Sequence, residues 1–194
     1  MQVRVRGAAL FLAAALVSSV PALADDIALQ IDSARTAYGR GDTLHTLSAL
    51  QSAVNALNAR LAEQLGKITP PAPAGWDASP PEAQALDSVG GGVAVARGYT
   101  RDSATLNALV MVDNPAIGNG DVNSSGKTGW SKVRIGAEDA MLRFDGGTRT
   151  GEIIMLIGER ALLQIEANDI GSPDALIDAA KGWNLTALRK LLGN

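Results

Sequence analysis

Apolar residues change their spacing along this chain. Residues 7–20 form an almost unbroken apolar run. From Ile27 the spacing becomes helical: Ile27, Ile31, Ala34 and Tyr38 recur at steps of three and four, the period of one helix face. Gly39 and Gly41 end that helix, because paired glycines favour a turn. Asp42 or Thr43 is placed to cap a second helix by accepting a bond from an orphan backbone N–H. That helix carries Leu47, Leu50, Val54, Leu57, Leu61 and Leu65, with Gln51, Asn55, Arg60 and Glu63 opposite. The short turn predicts an antiparallel helical hairpin over residues 25–68.

Residues 69–91 break the pattern. Pro70, Pro71, Pro73, Pro80 and Pro81 predict a stiff, extended linker without regular structure. Trp76 lies among them, and its large apolar ring suits an anchor onto the core. From Gly92 the period is two. Val93, Val95 and Tyr99 alternate with Ala94, Ala96 and Gly98, and Leu106, Ala108, Val110 and Val112 follow. Val133 with Ile135, then Ala140, Leu142 and Phe144, mark two more strands. Residues 152–157 and 161–166 complete a set of six. Short turns such as Asp145-Gly146-Gly147 make the sheet antiparallel, since parallel pairs need long crossovers. Ser172-Pro173-Asp174 opens a helix with Leu176, Ile177 and Ala180 inward, and Asn184 caps a last one bearing Leu185, Leu188, Leu191 and Leu192. Residues 92–194 therefore read as an antiparallel sheet domain with C-terminal helices, and the whole as α+β. The small face of Ala94, Ala96 and Gly98 predicts close packing of a helix, with a ligand groove as the other use of the space.

The hairpin resembles a tetratricopeptide-type helical pair. Ala34 stands where that family packs a small residue, Gly41 lies in its turn, and Leu50 and Ala53 fall on its second helix. Thr46 and Asn58 depart from the family, which favours alanine and proline there. No second copy follows, and such repeats need about three to be stable. The expectation is a generic hairpin rather than a peptide-binding array.

The N-terminus adds a compartment. Arg4 and Arg6 precede the apolar run, Pro21 ends it, and Ala22-Leu23-Ala24 is an A-x-A cleavage site. This is the order of a secretory signal peptide over residues 1–24. The run falls short of the ~20 residues of a membrane span. Cleavage would leave about 170 residues beginning at Asp25 and a formal charge of −5, against −3 for the whole chain. That balance argues against nucleic acid and anionic lipid as partners. The expectation is a soluble periplasmic or secreted protein with no membrane insertion after cleavage. With 0 cysteines, thiol catalysis, thiolate metal sites and disulfides are excluded.

Candidate chemistry is sparse. Residues 120–128 hold glycines and Lys127-Thr128 in partial imitation of a phosphate loop, but the glycines are too far apart and a strand follows. Asp121, Asn123 and Ser125 imitate a calcium loop, yet Lys132 stands where its essential acid belongs. Arg40-Gly41-Asp42 is explained by a helix end and a cap. Asn123-Ser124-Ser125 and Asn184-Leu185-Thr186 fit a glycosylation pattern that is common by chance. His45 is the single histidine, and no G-x-S-x-G sequence accompanies it. No cofactor, metal or catalytic residue is assigned. Two functions remain. The first is a non-enzymatic binding or protein-interaction module of unknown ligand. Its interface is Leu47, Leu50, Val54, Leu57 and Leu61, and its partner is another periplasmic protein or a second copy. The alternative is a carboxylate-based periplasmic hydrolase drawing on Glu138, Asp139, Asp145, Glu152, Glu166 or Asp169, the first three near one sheet end.

Overall fold

The computed structural model describes residues 22–86, 90–119 and 129–193. Of the segment 1–24 expected to be a signal peptide, residues 1–21 lie outside the described residues, as does the loop at 120–128. The chain divides into two compact units, Met1–Leu50 and Gln51–Asn194.

In the first unit, α1 (Ala22–Gly39) turns into α2 (Thr43–Ile68), which continues into the second. Gly41 supplies the turn with φ 73°, and Asp42 caps α2 by accepting from the His45 backbone N–H at 3.1 Å. Both devices follow the sequence reading. The buried faces do not. Ile27, Ala34 and Ala37 of α1 are buried, as is Ala49 of α2, whereas Ile31 is 47% exposed and Tyr38 77%. Small residues face inward here because alanine lets helices approach closely.

The second unit is an eight-stranded antiparallel sheet with helices on one face. Its strands are β1 (Asp77–Ala78), β2 (Glu82–Ala85), β3 (Val93–Arg101), β4 (Ala104–Val112), β5 (Trp130–Ile135), β6 (Glu138–Asp145), β7 (Thr150–Ile157) and β8 (Ala161–Asn168). A single turn of helix, α3 (Ala116–Asn119), follows β4; α4 (Asp174–Lys181) and α5 (Leu185–Leu191) follow β8. Strand order is β1-β3-β4-β8-β7-β6-β5, with β2 also on β3. The six long strands and the α+β class are those the alternation predicts. Asn184 caps α5 by accepting from Ala187 N at 2.9 Å, as its position before the helix implies.

The proline-rich segment differs from expectation: it supplies two further strands at the sheet edge. Its prolines lie outside both strands, so none removes a ladder donor there. Side chains from β3 tie it down. Arg97 Nη1 donates to Pro70 O at 2.8 Å, Arg97 Nε to Ser79 O at 2.9 Å, and the Tyr99 hydroxyl to Pro70 O at 3.0 Å. Trp76 is buried in the core, with the Arg101 guanidinium 4.5 Å from its ring centre.

Alternation sorts the sheet into two faces. Val95, Val110, Leu163, Met155 and Ala140 form one cross-strand row of the core face. Leu176 of α4, Leu188 of α5, and Ala62 and Leu65 of α2 join the same core. The opposite face carries no helix from α4 or α5, and a depression lies on it beside Ala96 and Gly98.

Candidate functional site

The five interface residues expected from sequence share α2, and the structure separates them. Leu47 is 60% exposed, Leu50 45%, Val54 46% and Leu57 47%, while Leu61 is half-buried against the sheet core. Leu65, in the same stripe, is fully buried. The buried residues of α2 are instead Ala49, Ala53, Ala62 and Leu65. Most of the leucine stripe therefore meets solvent beside a buried alanine stripe. Leu29, Ile31, Tyr38 and Leu44 are exposed as well. Among the described residues, every large exposed apolar side chain lies on α1 or α2. Scattered apolar exposure needs no explanation; here it is concentrated on the two N-terminal helices.

His45 belongs to a cap. Its Nδ1 lies 2.8 Å from Asp42 Oδ2, and its side chain is 80% exposed. The backbone N–H of His45, above all, holds the Asp42 carboxyl below its usual range. No serine among its described hydrogen-bond partners completes a nucleophilic arrangement.

The open sheet face is graded. One cross-strand row runs Ala94, Met111, Leu162, Leu156; the next runs Ala96, Leu109, Gln164, Ile154, Met141. A third is polar: Gly98, Asn107, Glu166, Glu152, Arg143, with Trp130 at its end. Among the described residues, no helix covers Ala94, Ala96 and Gly98 on this face, contrary to expectation. The depression there has a volume of about 400 Å³ and is bordered by Ser79, Ala96, Gly98, Leu109 and Gln164. The small residues admit the edge segment: Ser79 N donates to Gly98 O at 2.9 Å, and Gly98 N donates to the Ser79 hydroxyl at 3.1 Å.

Each candidate carboxylate is engaged. Glu152 accepts from Arg143 Nη2 at 2.9 Å and Gln164 Nε2 at 2.7 Å; Gln164 also donates to Glu166 at 3.0 Å. Arg143 in turn stacks over Trp130, 5.1 Å from the ring centre. Asp139 pairs with Lys132 at 2.8 Å, and that hydrogen bond lowers its pKa. Asp145 accepts from Gly147 N at 2.8 Å and from Thr148 N, and these backbone bonds lower its pKa. Asp169 accepts from the Ser103 hydroxyl and pairs with Arg149 at 2.8 Å. Buried Glu138 accepts from Arg189 Nε at 2.7 Å. For Asp139 and Asp145 this is the opposite of the apolar setting that keeps a general acid protonated.

Glu138 and Asp139 also fail to meet Asp145. They open β6 and Asp145 ends it, about 20 Å away at the rise of a strand. Successive residues point to opposite faces, so Glu138 joins the core side and Asp139 the open side. A depression of about 390 Å³ beside Glu138 is lined by Ile135, Trp183, Leu185 and Arg189. Sequence reasoning did not single out Trp183, whose buried indole N–H has no hydrogen-bond partner among the described residues. Its only sequence signal is an aromatic ring between two short helices.

Compared with protein-family models, curated proteins and solved structures, the chain matches none of them.

Proposed function

We propose that this protein is an exported, non-enzymatic interaction module that works through the apolar face of α2. The observation that carries this reading is the exposure of Leu47, Leu50, Val54 and Leu57 on one continuous helix. Ordering four large apolar side chains in water contributes nothing to the fold. Covering them with a partner removes that surface from water, at roughly 25 cal/mol per Å². The engaged carboxylates support a binding role over a hydrolytic one, because each already serves a salt bridge, a turn or a side-chain amide.

Leu57→Glu tests the surface. At 47% exposure the new charge stays hydrated, so circular dichroism is expected to match the wild type. Tagged wild-type protein is expected to retain a partner that the variant loses. A folded variant with the same partners and the same elution volume places function on another element.

Export rests on the order of charges, apolar run and cleavage site at the N-terminus. Mass spectrometry of the protein recovered outside the cytoplasm is expected to show Asp25 as its first residue. A functional form that retains residues 1–24 contradicts this part of the proposal.

A further inference from the structure

We infer that the partner of the α2 face is a second copy of this chain, the two helices meeting seam to seam in a two-fold dimer. The inference rests on the binding role proposed for α2 and names its occupant.

Spacing is the first argument. Leu47, Leu50, Val54, Leu57 and Leu61 advance by alternate steps of three and four along one helix. This is the 3.5-residue repeat of a coiled coil, with Leu47, Val54 and Leu61 at one heptad position and Leu50 and Leu57 at the other. A helix that serves only as the cover of a globular core needs a wider stripe repeating nearer 3.6. Here the globular need is already met by Ala49, Ala53, Ala62 and Leu65, which are buried. From Leu47 to Leu57 the heptad seam is an additional face, left over after the fold has used its own, and it ends at Leu61, which packs in part on the core. Two turns of heptad, from Leu47 to Leu61, run about 21 Å at the helical rise.

Charge is the second argument. Residues 43–59 contain no Asp, Glu, Lys or Arg. The positions flanking the seam are Thr46, Gln51, Ala53 and Asn58, with Arg60 the first charge. A two-fold interface brings each patch against its own copy, so like charges on it would repel. An acidic protein with a neutral seam meets itself there without that cost. The same feature disfavours a membrane surface, since interfacial helices carry Lys and Arg on their polar face.

Analytical ultracentrifugation of the purified chain across micromolar concentrations is expected to give twice the monomer mass. Leu50→Glu is expected to weaken dimerisation roughly thirtyfold or more while leaving circular dichroism unchanged. The chain has 0 cysteines, so Val54→Cys places one thiol at the centre of the seam, and mild oxidation is expected to yield a covalent dimer. A dimer that survives Leu50→Glu and does not cross-link through Val54→Cys uses another surface and overturns the inference. Strictly monomeric protein also overturns it. If Leu57→Glu still abolishes capture of a different protein, or of neutral lipid vesicles, the interaction role stands with another occupant. If capture is unchanged as well, both readings fall.

Discussion

Replacing Gly92 by alanine is expected to destabilise the sheet unit by about 3–5 kcal/mol, from positive-φ strain and overpacking combined. Gly92 has φ 83°, and an added Cβ would lie 2.2 Å from the Val112 carbonyl oxygen and 2.7 Å from the carbonyl carbon of Asp113. Those are backbone atoms at the end of β4, which cannot rotate away as a flexible side chain would. The neighbouring pair Val93 and Val112 belongs to the β3–β4 ladder, and both residues are fully buried. Relief therefore requires β3 and β4 to part at their paired end. Gly91 is the control: it has φ 93°, but none of the described residues comes within 4 Å of its missing Cβ. Gly91→Ala is expected to cost only the backbone term, about 1–2 kcal/mol. Thermal unfolding is expected to fall by roughly 10 °C for Gly92→Ala and by much less for Gly91→Ala. Equal shifts would show that conformational strain, and not the close approach of β4, sets the requirement for glycine.

The other large effect separates two leucines on one helix. Leu65→Ala is expected to cost about 2–5 kcal/mol, because it empties a filled position. Leu65 is 1% exposed and belongs to the core cluster with Ala62, Val95, Leu163 and Leu188. Leu57→Ala, measured on dissociated protein, is expected to stay within about 0.5 kcal/mol of wild type, as surface changes do. Chemical denaturation of the two variants reads the difference directly. If Leu57→Ala matched Leu65→Ala, the stripe would be core throughout its length, and the interaction role would lose its support. The contrast also bears on assembly. Under conditions where the chain dimerises, Leu57→Ala is expected to lower apparent stability in a concentration-dependent way, whereas the loss at Leu65 is already present in each protomer.

Much of the architecture was legible in the sequence because local rules decide it. Period two from Val93 to Glu166 placed six strands, and turn residues at Gly136, Asp145 and Gly158 placed the hairpins between β5 and β8. Asp42 and Asn184 were readable as caps, since a side-chain acceptor next to an orphan N–H acts within one turn of helix. Trp76 was readable as an anchor from its isolation among prolines.

What failed required knowing neighbours distant in sequence. The edge strands β1 and β2 pair with β3 across gaps in sequence that no local period reveals. Their place is held by Arg97 and Tyr99 reaching back to Pro70, 27 and 29 residues away. The expected helix over Ala96 and Gly98 was a matter of which layer covers which face, and the edge segment at Ser79 takes part of that space. The carboxylates could be counted from sequence, but not their partners: Glu138 meets Arg189 across 51 positions and Asp169 meets Arg149 across a hairpin.

Periodicity on α2 was correct about the helix and silent about which stripe turns inward. Two stripes run along it, one of leucine and valine and one of alanine. Hydrophobicity alone favours burying the larger one. Within the first unit the tertiary structure buries Ala34, Ala37 and Ala49 instead. Short side chains permit backbones to approach closely, and dense packing outweighs the greater transfer energy of leucines that a narrow first helix has too little surface to cover. The sequence by itself determined that an apolar seam exists on this helix. Only the three-dimensional packing decided that most of the seam faces outward, because that choice depends on the shape of what lies beside it.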